Sequence, residues 1–232
     1  MAEMGLGYGS EFQLLRFLGH HRHELEGSIL RNTKINPDLT YNMDWLDYPK
    51  DKTRKSLDGE YTGIDFLPPK LQKKISENWK KYWPKNGQNW DAILYCSPLV
   101  PNSPLEDQWI IVEAKAHIKE LESPCQAKDK ESVKKIESAF EATQKHFNIK
   151  PNNSWFKQYY QLANRLAFIN FMLDNGIQCS LLNIYFINGW ANKPEKNVLN
   201  IGTWKEAINA EYSYLGINNN AKKYISEIFV EC

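Results

Sequence analysis

Three observations predict a mixed α/β fold. Residues 92–96 and 109–112 are short apolar runs on either side of a loop holding Pro98, Pro101, Asn102, Ser103 and Pro104, the pattern of two strands joined by a turn. Residues 154–175 place Trp155, Tyr159, Leu162, Leu166, Ile169 and Leu173 at helical spacing, widened by Phe168, Phe171 and Met172. A helix covered on two sides is expected there, with Gly176 just past its end. Residues 178–187 are nearly all apolar and read as a buried strand. Strand, helix and strand in that order make a crossover.

The bulk composition narrows the class. At 232 residues the chain is long enough for one full core, so a single domain is expected over its whole length. Lys+Arg number 29 against Asp+Glu 28, so any nucleic-acid contact must come from a local patch. No apolar run approaches the roughly 18 residues of a membrane span. Residues 1–12 lack a basic-then-apolar leader pattern. Cys96, Cys125, Cys179 and Cys232 are scattered, with no C-x-x-C pair, which argues against a disulfide framework or zinc knuckle and for a reducing cytoplasm.

In chain order, Ser10 and Gln13 form a capping-box pattern that opens a helix. Leu14, Phe17, Leu18, His21 and Leu25 make its inner stripe, and Gly19 and Gly27 weaken it, so it breaks or is two helices. Gln13, Phe17, His20 and Glu24 lie along the neighbouring stripe. Residues 36–69 hold Pro37, Pro49, Pro68, Pro69 and several acids and aromatics. They read as an insertion of short strands and turns, with 63–67 a candidate strand. Residues 69–84 read as a helix on Leu71, Ile75, Trp79 and Tyr82. Its outer face carries Lys73, Lys74, Lys80 and Lys81 against only Glu77, suited to phosphate contact or to a solvated basic face. Residues 132–147 form another helix on Val133, Ile136, Phe140, Thr143 and Phe147. Thr203 and Glu206 are a second capping-box pattern, opening a helix to Leu215 that Gly216 ends. The tail from 218 to 232 reads as a short helix and a strand. The inserted segment spans about residues 36–85.

The chemistry gathers between residues 91 and 115. The midpoint of Asp91 and Glu113 is residue 102, inside the Pro-rich loop. Antiparallel pairing about that loop sets Asp91 opposite Glu113, with Cβ atoms about 4.5–5.5 Å apart. Glu113 and Lys115 share one strand face; Ile110, Val112, Ala114 and Ala116 take the other. Two carboxylates and an ammonium at the end of an apolar hairpin are costly unless something neutralises or uses them. One reading is a Mg²⁺ (or Mn²⁺) held by Asp91 and Glu113, with Lys115 beside the attacking water. The other is a plain Glu–Lys pair on an exposed strand face.

Asp91, a hairpin, then Glu113-Ala114-Lys115 resembles the D…(D/E)-x-K signature of the PD-(D/E)XK, or restriction-endonuclease-like, nuclease superfamily. Trp90 stands where that family places a proline. The resemblance implies a core of helix, three-strand meander, helix and strand, here with an inserted segment and C-terminal helices. It covers residues 10–189 and implies Mg²⁺-dependent cleavage of nucleic-acid phosphodiesters, DNA ahead of RNA, of a restriction or defence type. An extra acid from the first helix would join the metal, with Glu24 the candidate and Glu11 and Glu26 behind it. From the helix after the meander, Gln161 would reach the site and Arg165 would contact phosphate. His20 and His117 are candidates for an outer ring. A homodimer is among the assemblies such an enzyme uses. The rival readings are a non-catalytic nucleic-acid-binding or interaction protein on the same fold, and a zinc hydrolase using His20, His21 and His23.

Overall fold

The structure, a computed structural model, describes residues 8–35, 40–46, 59–85 and 87–232. Its elements are α1 (Ser10–His20), α2 (Arg22–Asn32), β1 (Tyr41–Trp45), β2 (Tyr61–Thr62), α3 (Pro69–Tyr82), β3 (Asn89–Trp90), β4 (Ala92–Pro98), β5 (Gln108–Lys115), α4 (Lys130–Phe147), α5 (Tyr160–Asp174), β6 (Gln178–Ile187), α6 (Ile201–Leu215), α7 (Asn219–Lys222) and β7 (Ile225–Glu231). Five strands form one mixed sheet in the order β1-β4-β5-β6-β7, and β2 and β3 make a separate small pair. The β1/β4 and β4/β5 pairs are antiparallel, while β5/β6 and β6/β7 are parallel. The order is thus helix pair, β1, then β2, α3 and β3 before β4 and β5 complete three adjacent antiparallel strands, followed by helices, strand, helices and strand. Among the described residues no helix is long and apolar enough to cross a membrane.

The hairpin register follows the inferred midpoint. Ala92 pairs with Val112 and Cys96 with Gln108, both centred on residue 102. The first meander strand, which the sequence assigns only to the inserted region, is β1, with Asp44 opposite Tyr95. Both faces of the sheet are covered. Ile110, Val112, Ala114 and Ala116 pack with Leu14, Phe17, Leu25 and Ile29 of α1 and α2. Trp109 and Ile111 face the other layer, where α3, α4, α5 and α6 contribute Trp79, Phe140, Leu166 and Trp204. Strand alternation therefore sends Glu113 and Lys115 into the second layer, away from α1 and α2.

Several local expectations are corrected. Ser10 is the first helical residue and no side-chain bond caps α1; its cap is Gly9 at φ 92, whose N–H donates to Gly189 O at 2.9 Å. The segment is two helices, as one of the two expectations had it, and they divide at His21. Residues 63–67 are consecutive turns, with Asp65 N–H donating to Thr62 O and Leu67 N–H to Ile64 O. Gly63 there takes φ 54, and a Cβ on Gly87 would lie 2.9 Å from the Gly63 backbone. Glycine at both positions lets the inserted segment close on the chain leading to β3. Residues 154–159 are turns: Tyr159 is left-handed (φ 57) and the helix starts at Tyr160. At its far end Ile177 N–H donates to Met172 O and Gly176 N–H to Leu173 O, as a glycine-ended helix requires. The cap of α6 is Asn200, which accepts from Thr203 N–H, so Thr203 is not itself the cap. The acids and prolines of residues 36–39 and 47–58, and the N-terminal residues 1–7, lie outside the described residues.

Candidate active site

Glu113 is the hub. It sits on the central strand β5 and is 4 % exposed, with Lys115 at 7 %. The Lys115 ammonium donates to Glu113 Oε1, so this pair is buried and the exposed-strand reading fails. From α5, Gln161 Nε2 donates to the same oxygen at 2.6 Å. Arg165, one helical turn further on, sets its fork on Oε2 through Nε at 2.9 Å and Nη2 at 2.7 Å. The remaining Arg165 valences go to Asn164 Oδ1 and the carbonyl of Asn89, and its guanidinium lies 4.8 Å over the Trp90 ring. Arg165 is therefore a partner of Glu113, a contact the sequence did not assign to it. Trp90 is the aromatic floor of that pair, held by its indole N–H on Gly63 O at 2.7 Å.

Asp91 follows at the bend between β3 and β4, just outside the last ladder pair. It does not simply continue the ladder: its Oδ2 accepts from Ala114 N–H at 2.8 Å. Burial, reinforced by the charge of Glu113, pushes its carboxyl up to about 7 against the pull of Lys115. Burial acts on Glu113 in the same sense, but Arg165 and Lys115 outweigh it and hold that carboxyl below its ordinary range. Burial would lower Lys115; Glu113 and Asp91 reverse that and raise it. The cluster at neutral pH is one firm carboxylate, two cations and one carboxyl balanced between its forms.

Asp91 opens into a cleft of about 940 Å³ whose walls include Glu60, Lys85, Lys128, Gln161 and Arg165. Glu113 and Lys115 lie behind Gln161 and Arg165, lining with them a chamber of only about 20 Å³. A second groove of about 630 Å³ shares Lys85 with the cleft and runs along α3 past Lys73 and Lys80. Lys74 and Lys81 are exposed elsewhere on that helix.

The chain, compared with known proteins, matches no protein-family model, no curated protein and no solved structure.

Of the expected residues, the structure brings together Asp91, Glu113, Lys115, Gln161 and Arg165. Glu24 is not among them. It is exposed on α2 and pairs with His21 at 3.3 Å, while α1 and α2 cover the opposite sheet face. His20 is exposed on α1, for the same reason away from Glu113. His117 caps a short 3₁₀ turn, its Nδ1 accepting from Lys119 N–H at 3.2 Å. Among the described residues no three His, Cys, Asp or Glu side chains converge on a possible metal position. Three polar residues near the hub were not singled out by the sequence. Glu60 faces the cleft, its carboxyl raised by burial and by Glu113. Asn183 pairs with Glu113 across β5/β6. Glu211, on α6, lines the small chamber. Nothing in the sequence near Glu60 marks it, whereas Asn183 interrupts an apolar strand and Glu211 falls on the Trp204, Ile208, Leu215 stripe.

The donor set is compatible in kind with a hard cation. Two carboxylates whose charges repel each other, one of them reaching the cleft, suit Mg²⁺, which takes one or two carboxylates and keeps water or phosphate oxygens for the rest. Asp91 and Glu113 would hold it, provided Glu113 gives up one of its present donors.

Proposed function

We propose that the chain is a Mg²⁺-dependent nuclease of restriction-endonuclease-like architecture, acting on nucleic-acid phosphodiesters, DNA ahead of RNA. The observation that carries this reading is the convergence of Asp91, Glu113 and Lys115 on one end of the β4/β5 hairpin, with Gln161 from the crossover helix on the same carboxylate. A bound Mg²⁺ would lower the pKa of a water and offset charge on the phosphate oxygens. Asp91, at the cleft wall, receives the substrate side. Glu113 is oriented by Gln161 and Arg165. Lys115 orients the attacking water or steadies charge on the phosphate. Lys85, Lys73 and Lys80, along the cleft and its continuing groove, provide local positive charge that the near-neutral chain lacks overall.

A second reading is favoured by a specific observation. Both oxygens of Glu113 are occupied, and Gln161 and Arg165 stand between it and the cleft. On that reading the same fold binds nucleic acid without cutting it. The two separate on plasmid, single-stranded DNA and RNA with Mg²⁺, Mn²⁺ or EDTA. The nuclease reading expects wild-type cleavage that EDTA stops and Lys115→Ala abolishes, with binding kept within a few-fold, because a water-positioning ammonium acts mainly in the transition state. Lys115→Ala should also cost about 2 kcal/mol of stability, as a buried charged hydrogen bond does. Wild-type protein that binds but never cleaves would select the second reading.

A further inference from the structure

Glu113 has more partners than a metal ligand can keep. Oε1 accepts from Lys115 and Gln161, and Oε2 accepts twice from Arg165. For this carboxylate to turn toward Asp91, a donor must withdraw. Arg165 is fixed by Asn164, Asn89 and the Trp90 ring. Lys115 has the flexible stem, and Glu113 is its only ion-pair partner among the described residues. It is buried, however, and an ammonium that left Glu113 for nothing would be an unpaired interior charge.

One other carboxyl faces the same space. Glu211 is 3 % exposed and shares with Glu113, Lys115, Asn183 and Tyr185 the chamber of about 20 Å³, enough for one water. Asn183 and Tyr185 are the β6 residues paired with Glu113 and Lys115, so the chamber lies directly beside the pair. Glu211 occupies an apolar stripe of α6 with Trp204, Ile208 and Leu215, and its carboxyl makes no ion pair or side-chain hydrogen bond among the described residues. A leucine or methionine would pack that stripe at lower cost, and nothing in the packing of α6 requires an acid. Burial raises the Glu211 carboxyl to about 8, and Lys115 is the charge that pulls it back down, so approach of the ammonium favours the carboxylate.

We infer that Glu211 is a positioning residue for Lys115, offering the ammonium a second carboxyl across one buried water so that it can release Glu113. The purpose of that release rests on the nuclease reading; the partnership of the two side chains does not. The test compares wild type with Glu211→Gln, Glu211→Met and Glu211→Asp for melting temperature, nucleic-acid Kd and Mg²⁺-dependent kcat. It adds the ¹⁵N resonance of the Lys115 ammonium in lysine-labelled protein, assigned by its loss in Lys115→Ala. The expected result is a kcat at least tenfold lower in Glu211→Gln and Glu211→Met, partial recovery in Glu211→Asp, Kd within twofold, an unchanged or higher melting temperature, and a shifted Lys115 resonance. Wild-type turnover by the folded Glu211→Met protein overturns the inference. If wild type itself cleaves nothing, the nuclease reading has failed and the spectrum decides: a Lys115 resonance indifferent to Glu211→Met overturns the partnership, and a shifted one upholds it.

Discussion

Replacing Asp91 by Asn should stabilise the fold at alkaline pH and not at acid pH. Burial and the charge of Glu113 lift this carboxyl from an ordinary value of 3.8 to about 7. The folded protein thus holds the proton more tightly than the unfolded chain. Its contribution favours folding below pH 4 and is lost as pH rises through about 7. At about 1.4 kcal/mol per pH unit the full separation is about 4 kcal/mol. Asp91 is only partly buried, and solvent screening reduces this to about 2 kcal/mol. An asparagine oxygen can still accept from Ala114 N–H, so the neutral variant loses the repulsion and keeps the bond. Urea and thermal melts of both proteins from pH 4 to 8 should show a gap that opens toward pH 7 and then levels. At about 2–4 °C per kcal/mol for a chain of this size, Asp91→Asn should melt about 4–8 °C higher at pH 8. Mg²⁺ at pH 8 should narrow the gap by stabilising wild type alone. Parallel stability curves, or a wild type that gains on Asp91→Asn as pH rises, would refute the proposed repulsion between Asp91 and Glu113.

Arg165→Leu should cost about 3–5 kcal/mol, the usual penalty for stranding one partner of a buried ion pair; Arg165→Lys should recover little of it in the same urea melts, because an ammonium cannot reproduce the fork on Oε2. Lys73→Ala with Lys80→Ala should lower the log–log salt slope of duplex binding by roughly 2, at about 0.9 per lost contact, whereas Lys74→Ala with Lys81→Ala should leave it unchanged, since only the first pair lines the groove.

Local pattern carried much of the fold, and it failed where a distant partner decides the outcome. The register of β4 and β5 was legible because the Pro-rich loop fixes a midpoint and strand faces alternate every second residue. The same alternation correctly sent Ile110, Val112 and Ala114 away from Glu113. The first meander strand was not legible: Tyr41–Trp45 is short, and its pairing with β4 leaves no local mark amid aromatics and prolines. Glu24 failed because helical spacing gives a stripe but not the sheet face on which the stripe lands. The two capping-box patterns failed because Gly9 is tied to Gly189 and Asn200 competes successfully for Thr203 N–H; neither competition shows in a four-residue window.

The depth of Glu113 follows from how α5 is built. A carboxylate on the third of five strands, in line with Trp109 and Ile111, has almost no water to turn to and must be neutralised by whatever covers it. The covering helix has Leu162, Leu166, Ile169 and Phe168 buried around one turn after another, and its amphipathic pattern alone would allow several rotations about its axis. Gln161 and Arg165, four residues apart and hence on one stripe, restrict that choice: only the rotation that brings both onto Glu113 avoids a stranded buried charge. Trp90 then fills the space beneath the guanidinium and lies tilted against Phe168 with ring centroids 4.5 Å apart, locking the helix to the strand that delivers Asp91. The residues that orient Glu113 are therefore also the ones that align α5 on the sheet. Stability losses in Arg165 variants should accordingly accompany any change in activity, and should exceed the loss of about 2 kcal/mol expected for Lys115→Ala, which leaves the Arg165 fork on Glu113 in place.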